Sequence, residues 1–293
     1  MIFKHWIVQR RNWIPSILLL PILYLLGWLV VQPLNLLPLD LEASEVSLLG
    51  TVCTFIFFLL CLPTWVKERW KCYSPWNELG LIQLGRKSLM KNWINGYLWS
   101  VVLVCFLLVS LCLGSWCEWI GGFNLNNCLN AILLIFGVGF AEELVFRGWL
   151  WGEINFLFGP RWSLYIQAVI FSIAHIRFDL SFVEQGFLLF GLFLLGILLG
   201  LRRLIDRGSL IGCIALHGGL VGNWFLMQTD LIKISSNAPF WITGPGQPTP
   251  NPIGGILAIF VLLLIIWVHR NAFAIAALPS NGDRNASSKG ATP

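Results

Sequence analysis

Glu142 and Glu143 stand side by side in an otherwise apolar stretch, with Arg147 one helical turn further on. Two later apolar segments carry His175 and His217. Even on lenient insertion scales an ionisable group at membrane depth costs about 2.5–3.5 kcal/mol, so such groups are kept where they are paired, hydrated or used. Carboxylates and imidazoles together can take a proton from water and return it to a leaving group. The chemistry these residues suggest is hydrolysis inside a membrane.

Spacing divides the work among them. On a helix, positions four apart share a face, and a glutamate N-terminal to its cation is the better order. Glu143 and Arg147 are therefore expected to pair. Glu142 lies about 100° round the helix and has no intrahelical partner, which leaves it as the candidate general base. His175 closes the run Phe-Ser-Ile-Ala-His, with Phe171 on the same face. His217 is followed by Gly218 and Gly219, which either let helices approach closely or leave a void beside the imidazole. Asn223 lies six residues on, about 600° round the helix, and is a weak candidate for a supporting partner.

Glu142, His175 and His217 could hold a divalent metal such as zinc through nitrogen and oxygen ligands with an open position. They could equally activate water without a metal, one histidine donating to the oxyanion. The HExxH zincin arrangement is absent from the sequence. The bland alternative is that the charged groups only tie helices together, as polar residues in bundles do.

These groups need a membrane to sit in, and the composition supplies one. The 293-residue chain is 57% hydrophobic and only 11% charged, against about 25% charged in soluble proteins. Its mean hydropathy is +0.77. The 16 tryptophans suit headgroup level. A net charge of +5 lies in short connections without a continuous basic face, so nucleic acid is not an expected partner. The eight cysteines form no CxxC pair; Cys117 and Cys128 share a loop and could pair in an oxidising compartment.

Apolar runs long enough to span fall at 13–32, 46–63, 93–114, 128–150, 162–180, 183–201, 209–227 and 253–269. The predicted fold is an all-α polytopic membrane bundle of about eight transmembrane helices. Lys and Arg collect in cytoplasmic loops. Here Lys67 to Lys91, Arg161, Arg202, Arg203, Arg207 and Arg270 fall on one side with Lys4, Arg10 and Arg11. The other side holds Asp40, Glu42, Glu45, Glu118, Asp179, Glu184 and Asp230 against Arg177 and Lys233. Eight crossings satisfy this asymmetry with both termini cytoplasmic. Residues 1–127 are read as three helices with an interfacial connection at 64–92 whose tryptophans lie on the headgroups. The ionisable groups occupy a core at 128–228. A Pro- and Gly-rich outer loop without helix or strand and the last helix make up 229–270, and 271–293 is a disordered tail. Rise per residue sets Glu142 and His175 at different depths unless their helix boundaries shift. The site is expected near mid-depth.

The ordered motifs EExxxR (Glu142, Glu143, Arg147), FxxxH (Phe171, His175) and a histidine in a later glycine-rich helix (His217) resemble the CPBP family. That family comprises the type II CAAX prenyl proteases and their bacterial relatives. The likeness covers roughly residues 128–228. It implies an intramembrane peptidase acting on a membrane-associated peptide or protein from the cytoplasmic side. Glu142 and His175 would activate water, His217 would stabilise the oxyanion, and Arg147 would hold the site in shape. Metal-dependent and metal-free mechanisms are both described for the family. The family's last motif reads HxxxN, but here Val221 occupies the Asn position. A non-catalytic member, in bacteriocin immunity or partner binding, is the alternative reading. A proton-coupled transporter would show repeated halves, which the sequence lacks. The expected location is a bacterial inner or plasma membrane.

Overall fold

The computed structural model describes residues 13–36, 42–82 and 85–276. The basic flank at Lys4, Arg10 and Arg11, the acidic Asp40, and everything from residue 277 onward, including most of the expected disordered tail, lie outside the described residues. The protein is an all-α, multi-pass membrane bundle. It divides into two compact units, Met1–Glu78 and Leu79–Pro293.

In the first unit, α1 (Ile14–Val31) begins with Pro15 in its first turn and packs on α2 (Ala43–Trp70). Gly27 makes the approach possible, because a Cβ there would stand 2.8 Å from the Thr54 amide nitrogen. The Glu42 capping box starts α2, and the short α3 (Pro75–Glu78) ends the unit. The stretch 64–92 is therefore not one helix lying on headgroups. It is the end of α2, then α3, then a connection into the next unit, and Trp65 and Leu79 are buried.

The second unit starts with α4 (Arg86–Leu113) and the three-residue strand β1 (Cys117–Trp119). Next comes the long apolar helix α5 (Leu125–Phe158, 34 residues). Asn124 caps α5 by accepting from the amides of Asn126 and Asn127. Gly159 stops it with φ of +86°, and Pro160 opens α6 (Pro160–Ile173). A Ser181–Glu184 capping box starts α7 (Phe182–Ile205). Then follow α8 (Ile211–Leu226), the strand β2 (Ile232–Ile234), the single turn α9 (Phe240–Thr243), α10 (Ile256–Val268) and the short α11 (Ala272–Ala276).

Among the described residues, five helices are long and apolar enough to cross a membrane: α1 with its extension to Asn35, α2, α4, α5 and α7. The other expected spans correspond to the shorter α6, α8 and α10. Large apolar side chains such as Leu18, Leu60, Val109, Leu133, Phe260 and Leu263 remain exposed along them, as lipid-facing surfaces require. The expected loop after residue 228 is not free of regular structure. Its β2 pairs antiparallel with β1, Glu118 opposite Lys233, and α9 follows. Beside β1 the sulfur of Cys117 lies 3.0 Å from that of Cys112, so its near neighbour is Cys112 rather than Cys128.

The core that positions the site is α8, buried along Gly212–Leu220. Its glycines let two helices close on it from different sides. A Cβ on Gly219 would strike the Ser100 side chain of α4, and one on Gly218 would strike the Ile135 carbonyl of α5. The glycine pair thus serves close approach rather than a void. Leu107, Phe171, Leu195, Leu199, Leu216 and Leu262 fill the space around it.

Candidate active site

The two glutamates sit in a helix that is not uniformly α. Gly139–Glu143 is α-helical, but Leu134–Val138 before it and Leu144–Leu150 after it are π-helical. Each widened turn shifts the helical phase, and such turns occur frequently at functional sites. The first lies where α5 meets Gly218 of α8; Gly139, next to it, leaves only 2.9 Å between an added Cβ and the Gly218 Cα. The local geometry that aims Glu142 and Glu143 is therefore set against the helix that carries His217.

Glu143 is fully buried and bonded to two partners. Its Oε1 accepts from Arg147 Nη1 at 2.8 Å, the pairing expected from their spacing. The same oxygen lies 2.7 Å from His217 Nδ1. The Arg147 guanidinium also stacks over Phe171, 4.2 Å from the ring centroid. Phe171 in turn meets the rings of His175 at 4.7 Å and His217 at 5.7 Å. Arg147, Glu143 and Phe171 together fix the positions of both imidazoles.

Glu142 faces the other way. Its Oε2 lies 3.5 Å from His175 Nε2 and 3.8 Å from His217 Nε2. His175 Nδ1 lies 2.8 Å from the Phe171 carbonyl oxygen, which can only accept, so that nitrogen carries a proton. In a neutral ring Nε2 is then an acceptor facing a carboxylate oxygen. Two acceptors at such a separation are joined by a shared proton or by a water donating to both. His217 Nδ1 likewise faces an oxygen, Oε1 of Glu143, and donation from both ring nitrogens at once requires the imidazolium. A water entering from the cleft can lie beside the Glu142–His175 contact, with His217 next to it.

Both Nε2 atoms face a single carboxylate oxygen. Yet among the described residues no group of three His, Cys, Asp or Glu side chains could hold a metal ion. As arranged, these donors do not close round one.

The groups line a cleft of about 460 Å³, within the range of small-ligand sites. Its walls are apolar, with Leu103, Leu107, Val138, Leu195 and Leu220, and Glu142 and His217 lie at its inner end. Val221, at the position where the resembling motif has Asn, lines the cleft. Asn223 does not line it; Asn223 turns to α4, where its Oδ1 accepts from the Tyr97 hydroxyl at 3.2 Å. The depth mismatch expected from the sequence disappears. Because α5 runs on to Phe158 and α6 stops at Ile173, Glu142 and His175 are both about 25 Å from the Gly159 turn at 1.5 Å per residue.

Sequence reasoning did not find two features. The Glu143–His217 bond crosses 74 residues and depends on how α5 and α8 pack. Arg177 lines the cleft at its outer end; two residues beyond His175, it had counted only towards orientation.

Residues 124–222 match the family described as type II CAAX prenyl endopeptidase Rce1-like. That segment contains Glu142, Glu143, Arg147, Phe171, His175 and His217. It is a CPBP-family domain. The family is one of intramembrane peptidases. Residues 3–74 match a domain of unknown function, DUF8676. No curated protein and no solved structure matches the chain.

Proposed function

We propose that the protein is an intramembrane endopeptidase that hydrolyses a bond of a membrane-associated peptide or protein, in a plasma membrane such as those of the bacterial proteins sharing its motifs. The observation that carries this reading is the convergence of Glu142, His175 and His217 on one carboxylate oxygen, at 3.5 and 3.8 Å, inside a cleft. Water lying in the cleft beside Glu142 and His175 loses a proton to Glu142 as its oxygen attacks the peptide carbonyl. His217, as an imidazolium, donates from Nε2 to the oxyanion that forms. Glu142 then returns the proton to the leaving amine.

Arg147 acts as a positioning residue through Glu143, and Phe171 through ring contacts.

The test is a comparison of membrane peptides from cells making the wild type or Glu142→Gln. Peptides that accumulate uncut with Glu142→Gln support hydrolysis, and identical sets contradict it. Val221 favours a second reading, a non-catalytic protein of the same fold that binds or shields a membrane partner. That reading predicts Glu142→Gln to leave both phenotype and partner binding intact.

A further inference from the structure

The cleft has a direction. In the second unit the basic connections lie at one end. Arg86, Lys87 and Lys91 start α4, and Arg202, Arg203 and Arg207 lie around the turn from α7 to α8. The opposite end carries the β1–β2 ribbon, the turn after α6 and the loop before α10. Its charges are Glu118, Asp179, Glu184 and Asp230 against Arg177 and Lys233. Apart from Glu142, Leu195 and His217, which lie just past mid-helix at its floor, the cleft wall belongs to the half of each helix nearer this second end. Leu103 and Leu107 come late in α4, Val138 precedes Glu142 in α5, and Leu192 comes early in α7. Trp224 and Gln228 come late in α8, and Thr249 to Ile253 form the rim. No residue of the basic end lines it.

Lys and Arg accumulate in cytoplasmic connections, whereas acidic residues contribute little to orientation. We infer that the cleft opens to the extracytoplasmic side, and that the substrate is an apolar peptide segment entering from that side, cut in the outer part of its membrane span. This reverses the cytoplasmic entry that the motif resemblance implies. It rests on the peptidase reading for the cut, but not for the side of the opening. The walls suit such an occupant. Leucines and Trp224 take apolar side chains, and the polar groups Arg177, Gln228 and Asn251 gather at the mouth, where a peptide leaves the lipid.

The entry side is tested by alkylation with a membrane-impermeant maleimide in intact cells, on a cysteine-free chain carrying one cysteine at a time. Thr249→Cys, exposed at the rim, is expected to react before permeabilisation, and Lys87→Cys, exposed at the start of α4, only afterwards. The reverse pattern overturns the inference. The native chain gives the same readout should the cysteine-free background fail to fold. Cys112 is exposed at the same end as the cleft mouth, and after mild reduction it should react from outside. The second arm maps cut positions in peptides that accumulate uncut with Glu142→Gln. Sites at the outer end of a span support outer entry, and sites confined to the cytoplasmic end overturn it. Outside labelling together with identical peptide sets for wild type and Glu142→Gln would sink hydrolysis while leaving the direction of the cleft intact.

Discussion

Two buried ion pairs, both four residues apart on a helix, differ in a way that locates the working site. Arg202 and Asp206, at the end of α7, satisfy each other through two bonds, Nε to Oδ2 at 2.8 Å and Nη2 to Oδ1. Asp206 packs against Gly212, and neither residue lines the cleft. Glu143 and Arg147 share a single bond; Oε2 of Glu143 and Nε and Nη2 of Arg147 are buried without a hydrogen-bond partner. Glu143 reaches across to an imidazole on another helix, and its neighbour Glu142 opens on the cleft. A buried ion pair alone says little about function. One left incompletely satisfied beside a second carboxylate that faces two imidazoles in a cleft does.

This contrast yields four expectations. The largest effect falls on Glu142→Gln, which should lower peptide cleavage by about 10²–10⁴-fold, the usual worth of a general base, while leaving thermal stability near that of the wild type. Next, Glu143→Ala and Asp206→Ala should each cost about 3–5 kcal/mol in denaturation because each strands a buried arginine. They part in a cleavage assay normalised to folded protein, where only Glu143→Ala should lose activity. Equal activity losses would erase the distinction between the two pairs.

Val221→Asn should raise kcat, by up to about 10²-fold, if an amide one turn beyond His217 adds a second oxyanion donor. A fall in rate would show that the cleft wall needs valine for packing. The smallest effect is expected from chelation. Activity and metal content measured before and after chelator treatment should show no dependence on metal, and loss with recovery on adding zinc would reassign Glu142 and both histidines as ligands.

Much of this was legible in the sequence where the physics is local. Apolar length marked the long membrane helices, five of which are long enough to span, and spacing alone paired Glu143 with Arg147. What stayed hidden depends on packing between distant segments. The two π-helical turns beside Glu142 leave no periodic signature in a uniformly apolar stretch, and the first of them arises where α5 closes on Gly218. The three-residue strands Cys117–Trp119 and Ile232–Ile234 are too short for alternation to announce them. Asn223 was kept as a supporting residue by its nearness in sequence, yet helical phase carries it to Tyr97. The direction of the cleft depends on which half of each helix faces inward, and the cytoplasmic opening came from family resemblance instead.

The most direct measurement is hydrolysis by the purified protein in nanodiscs, with membrane peptides in heavy-oxygen water and mass analysis of the products. The account predicts one heavy oxygen in each newly formed carboxyl group with the wild type and none above background with Glu142→Gln. Labelled products undiminished in Glu142→Gln, or no labelled product from the folded wild type, would contradict it.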